Sequence, residues 1–113
     1  MKTKFEKSMR IASELLSYCH HNGACEYRLE ITEESSMVTH VVKGSPVTIS
    51  EEQLEHLRNL LGAPRQRDIE QDYWELMGES EDFSELTLIG MLCDEAIVEY
   101  EDSTLTITIK RGD

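Results

Sequence analysis

From Phe83 to Lys110 an apolar helical pattern runs into two short strands joined by a tight acidic turn, and this unit constrains the fold more than any other part of the chain. Leu86, Ile89, Gly90 and Cys93 recur at the i, i+3, i+4, i+7 spacing that places four residues on one helix face, and Leu88, Met91 and Leu92 widen the apolar surface. The spacing predicts a largely buried helix. Strict alternation follows from Thr104 to Lys110, so Leu105, Ile107 and Ile109 are expected to face a core while the threonines and Lys110 face water. A strand with one solvated face needs cover on the other face only, which points to helices on one side of a sheet.

The rest of the chain repeats this logic. Phe5, Met9, Ala12, Leu16 and Cys19 form a helical stripe that Gly23 is placed to end. Cys25, Tyr27, Leu29 and Ile31 alternate with Glu26, Arg28, Glu30 and Thr32, and after a polar turn at 33–36 a second strand is expected from Met37 to Lys43, the two pairing as a hairpin. Gly44, Ser45 and Pro46 end it. Ser50-Glu51-Glu52-Gln53 reads as a capping box that opens a helix with the stripe Leu54, Leu57 and Leu61, closed by Gly62 and Pro64. Between Ala63 and Asp82 the pattern is least regular, with a short helix expected through Ile69, Tyr73, Leu76 and Met77. The expected architecture is α/β in the α+β sense: a two-layer sandwich with helices packed on one face of a mixed or antiparallel sheet.

At 113 residues the chain is expected to form a single domain, 1–113, around a single core. Its 23 acidic against 11 basic residues, a formal charge of -12, oppose nucleic-acid partners, which are held by clustered Lys and Arg. The acidic residues gather at turns and helix starts and read as a solubilising surface rather than a cation-recruiting face. No apolar run is long enough to span a membrane, and the start lacks the apolar stretch of a signal peptide, so a cytoplasmic location is expected. Cys19, Cys25 and Cys93 are odd in number and do not show a disulfide-like spacing, which suits buried thiols acting as small hydrophobes.

Residues 13–24, Ser-Glu-Leu-Leu-Ser-Tyr-Cys-His-His-Asn-Gly-Ala, followed at once by a strand, resemble the Asn-bearing helix of the GHKL ATPases, the superfamily of histidine kinases, gyrase-type topoisomerases and anti-sigma factor kinases. The unit from Phe83 to Lys110 likewise looks like the helix and final hairpin that close that ATP-binding domain, and the element order between them also matches, so the resemblance spans nearly the whole chain. It implies a histidine-kinase-like ATPase fold. It also shows what has changed. Glu14 matches the family's general base, but Tyr18 stands where an Asn coordinates Mg²⁺, and a phenol is a poor ligand for a hard cation. Around Val42 and Gly44 a valine or lysine replaces the Asp that accepts a hydrogen bond from adenine, leaving a donor whose burial unpaired costs about 1–3 kcal/mol. The phosphate-wrapping glycines before the last helix are replaced by 84–88, Ser-Glu-Leu-Thr-Leu.

With three boxes changed, the resemblance implies a degenerate domain with a vestigial pocket at Glu14, Tyr18, Val42, Gly44 and Leu86, no cofactor, and a binding or regulatory role towards a protein partner in bacterial-type signalling. The alternative it leaves open is a working ATP- and Mg²⁺-using kinase or ATPase; a homo-oligomeric structural protein is a third. Arg65, Arg67, Tyr73 and Trp74 occupy the stretch that corresponds to the family's lid and carry the residue types of interface hot spots, although Trp74 can equally cap the core. Cys19, His20, His21 and Cys25 hold zinc-type ligands, but Cys19 is expected to face the core while the histidines diverge from it by about 100° per residue, which argues against a shared ion. Glu14, Asp94 and Glu95 read as solvated carboxylates before they read as catalytic ones.

Overall fold

The computed structural model describes residues 3–65 and 85–112, the side chains of Glu85, Thr87 and Leu88 excepted. Helix α1, Lys4–His21, leads into strands β1, Glu26–Glu33, and β2, Met37–Ser45; helix α2, Glu51–Leu61, and helix α3, Glu85–Leu92, precede strands β3, Glu95–Glu101, and β4, Thr104–Gly112. The expected short helix through Ile69 to Met77 lies outside the described residues. The strands form one wholly antiparallel sheet in the order β1-β2-β4-β3, two hairpins joined through β2 and β4.

Local chemistry sets the ends of these elements. Thr3 caps α1 by accepting from the Glu6 amide. At its other end the Gly23 amide donates to the His20 carbonyl and the Ala24 amide to the Cys19 carbonyl, both at 3.1 Å. This paired motif needs a left-handed residue, and Gly23 adopts it at φ 105°. The capping box of α2 is complete, with Ser50 and Gln53 each receiving the other's amide proton. Asp102 and Ser103, at φ 51° and 63°, make the two-residue β3–β4 turn, whose twist matches that of the flanking strands.

Among the described residues, three helices cover one face of the sheet. Inward residues Val42, Leu105, Ile107 and Ile109 meet Ile11, Leu15 and Cys19 of α1, Leu57 and Leu61 of α2, and Leu86, Ile89 and Leu92 of α3 in one core. Two glycines permit the closest approaches. A Cβ on Gly44 would stand 2.6 Å from Cys19 Cβ, and one on Gly90 would stand 2.5 Å from the Leu60 carbonyl oxygen, so α1 lies on β2 and α3 lies on α2 at backbone contact. The opposite sheet face carries threonines and charges, among them Lys110 and Glu95 at 3.8 Å.

The expected α1 stripe is corrected. The buried residues are Ser8, Ile11, Ala12, Leu15, Tyr18 and Cys19, a face turned by roughly 80° from the one through Phe5, Met9 and Leu16. Phe5 is 60% exposed and Met9 40%. The helix is apolar on two overlapping stripes that share Ala12 and Cys19, and Ile11, Leu15 and Tyr18 mark the one that joins the core. Cys25, expected to be buried, is exposed, because it precedes β1 at the sheet edge beyond the cover of α1.

Candidate functional site

Tyr18, on α1, is buried and belongs with Val42 of β2 and Leu86 of α3 to the continuous core; Val42 is 0% exposed and Leu86 2%. Gly44, two residues along β2, is closed over by Cys19 and Ala24. Burial holds the Tyr18 phenol above its ordinary pKa, with the neighbouring Cys19 adding to the effect, and burial pushes the Cys19 thiol up to about 11. Glu14, one turn before Tyr18, is half-buried on the same flank of α1. Tyr18, Val42 and Leu86 are thus core side chains, Gly44 is buried against Cys19 and Ala24, and Glu14 is half-buried.

Arg65 is placed by tertiary contacts. Its guanidinium Nη1 donates to Asp94 Oδ2 at 2.8 Å and to the Gly112 carbonyl at 2.7 Å, and its side chain is 8% exposed. Asp94 also accepts from the Gly112 amide at 2.6 Å. Asp94 is thus a cross-link in the α3–β3 turn rather than a solvated helix carboxylate. Arg67, Tyr73 and Trp74 lie outside the described residues.

The zinc-type residues diverge. Cys19 is buried, whereas Cys25 and both histidines are exposed; the His21 ring meets the Ser17 carbonyl at 3.0 Å. Among the described residues no group of three or more His, Cys, Asp and Glu side chains could hold a metal ion. His20 instead joins Tyr27. The Tyr27 hydroxyl donates to the Ala24 carbonyl at 2.7 Å, so it accepts from His20 Nδ1 at 2.8 Å, which places the imidazole proton on Nδ1.

His20 and Tyr27 close one end of an open, mainly apolar trough of about 470 Å³ between α1 and β1, floored by Met9, Ala12 and Leu16. Phe5 extends it at the other end, beside Met9 and Arg10. Among the described residues the second apolar stripe of α1 is left largely uncovered, with Met9 40% exposed, and so is the inward face of β1: Tyr27 is 43% exposed, and Leu29 and Ile31 are half-buried.

Two buried polar residues were not singled out by their sequence context, although the alternation carried the signal. In Val38-His40-Val42 the inward series includes His40, fully buried, whose Nδ1 meets the Ile109 carbonyl at 3.1 Å. The inward series Leu105-Ile107-Ile109 continues to Arg111, 3% exposed, whose guanidinium donates to the Leu92 carbonyl at the end of α3. A cation there complements the negative end of the helix. No helix among the described residues is long and apolar enough to cross a membrane. No protein-family model matches the chain, and none of the curated proteins matches it either.

Proposed function

We propose that this chain is a non-catalytic binding or regulatory domain, a degenerate relative in pattern of the GHKL ATPases, working in the cytoplasm on a protein partner in signalling. The observation that carries the reading is the filled interior at the positions where such a domain would hold its nucleotide: Tyr18, Val42 and Leu86 are core side chains, and the Gly44 backbone lies against Cys19. A nucleotide would need a cavity of several hundred Å³ there, and opening one would expose side chains of the core. The acidic balance of the chain supports a protein partner over a nucleic acid.

Calorimetric titration with ATP and ADP, each with and without Mg²⁺, tests this. The expected result is no heat of binding at millimolar ligand. Tight, magnesium-dependent binding, or hydrolysis abolished by Glu14→Gln, would overturn the reading in favour of a nucleotide-using kinase or ATPase.

A further inference from the structure

The two edges of the sheet are built differently. At β3, Arg58 Nη2 of α2 donates to the Val98 carbonyl at 3.0 Å, and Glu95, Glu99 and Glu101 share the outer face, so a second β3 laid alongside would meet carboxylates with carboxylates. Such features keep an edge from pairing. Strand β1 has eight residues, no proline and mixed charge.

We infer that a second copy of this chain docks along β1 and the adjoining flank of α1, the two β1 strands pairing antiparallel about Leu29 so that the two sheets become one. In that register Leu29 faces Leu29, Tyr27 faces Ile31, and Arg28 faces Glu30 twice, once on each side of the two-fold axis. Sliding by two residues in one direction sets Glu30 against Glu30, and in the other Arg28 against Arg28. Side-chain alternation forbids a slip of one, which would oppose residues of opposite faces. The charges of β1 thus favour one self-pairing over its neighbours.

The helical layer fits the same arrangement. Helix α1 lies over β1 and β2, so with strands about 4.8 Å apart the two α1 axes would run antiparallel on the same side of the joined sheet, roughly 10–14 Å from one another. Helices pack at 8–10 Å, with more room where side chains are large. Met9 and Leu16 of each copy would fill the other's trough and cover the half-exposed Tyr27, Leu29 and Ile31. Charge also selects this side of the molecule. In α1 and β1, Lys4, Lys7, Arg10 and Arg28 nearly balance Glu6, Glu14, Glu26, Glu30 and Glu33, one net negative charge out of -12 for the chain. Strand β3, the other sheet edge, carries three net negative charges and would repel its own copy; the surface of α1 and β1 is close to neutral. The docking does not depend on whether a nucleotide binds, so its test is separate from the calorimetry.

The test is sedimentation equilibrium of the full chain at physiological salt, with urea midpoints to establish that each variant folds. The wild type is expected at twice 13.0 kDa. Arg28→Glu is expected to weaken the dimer by about tenfold or more, because two attractive cross-strand pairs become repulsive, and the exchange Arg28→Glu with Glu30→Arg is expected to restore it. Met9→Lys is expected to weaken it as well. A monomeric wild type overturns the inference, as does a dimer indifferent to Arg28→Glu or a folded double exchange that stays monomeric.

Discussion

Arg65 and Asp94 join three parts of the chain at one point: the guanidinium that follows α2 bonds both the carboxylate of the α3–β3 turn, at 2.8 Å, and the Gly112 carbonyl at the end of β4, at 2.7 Å. The same carboxylate takes the Gly112 amide proton. With the arginine nearly buried and the aspartate 32% exposed, the pair is more than a surface contact. Asp94→Ala removes the carboxylate from a desolvated guanidinium and is expected to cost about 1–3 kcal/mol. A double-mutant cycle with Arg65→Ala, read by urea denaturation, checks the coupling; additive effects would contradict it.

Cys19 gives the fold a high-pH limit. Its thiol titrates near 11 in the folded chain against an ordinary 9.0. Below pH 9 both states keep the proton and the group has no effect on stability. Between about 9 and 11 the unfolded chain alone has lost it, so stability falls as pH rises, by roughly 2 kcal/mol at most. Tyr18, also raised, adds to the fall at still higher pH. Urea midpoints from pH 8 to 11 are expected to drop more steeply for the wild type than for Cys19→Ala; parallel curves would show that the thiol carries none of the effect.

The β3–β4 turn places two L-residues, Asp102 and Ser103, in the left-handed region. Such a conformation costs about 1–2 kcal/mol per residue, and glycine avoids that cost while giving back part of it in unfolded-chain entropy. Ser103→Gly is therefore expected to stabilise the protein by about 0.5–1 kcal/mol. The Ser103 carbonyl, which accepts from the Val47 amide at 2.7 Å, is retained in the variant. An unchanged or lowered thermal midpoint would contradict the expectation.

Gly90 marks where α3 touches α2. An added Cβ would lie 2.5 Å from the Leu60 carbonyl oxygen, a backbone atom that cannot rotate away, so Gly90→Ala must push the helices apart despite its better helix propensity. A loss of about 1–3 kcal/mol is expected from chemical denaturation. A gain in stability would mean that the two helices do not approach this closely.

Much of the fold was legible because local rules decide it. The capping box at Ser50, the stop at Gly23, the alternation of Leu105, Ile107 and Ile109, and the buried stripe of Leu86, Ile89, Gly90 and Cys93 each depend on neighbours within one or two turns or one strand. Of the residues singled out for a vestigial pocket, Tyr18, Val42 and Leu86 belong to the buried core, and Gly44 lies against Cys19 and Ala24. Arg65 was expected in a contact surface and instead ties β4 to the α3–β3 turn, through partners 29 and 47 residues away. No local pattern encodes a pairing at that separation.

By itself the sequence determined the elements, their ends and their polar and apolar faces, since hydrophobic period and capping chemistry act over a few residues. Tertiary structure alone decided the order β1-β2-β4-β3, the burial of His40 and Arg111, and which of two apolar stripes α1 turns inward. The physical reason is steric and long-range. Both stripes of α1 satisfy the same period, and the packing of Ile11, Leu15 and Tyr18 into the common core selects between them and leaves Met9 and Leu16 along the trough beside Tyr27 of β1.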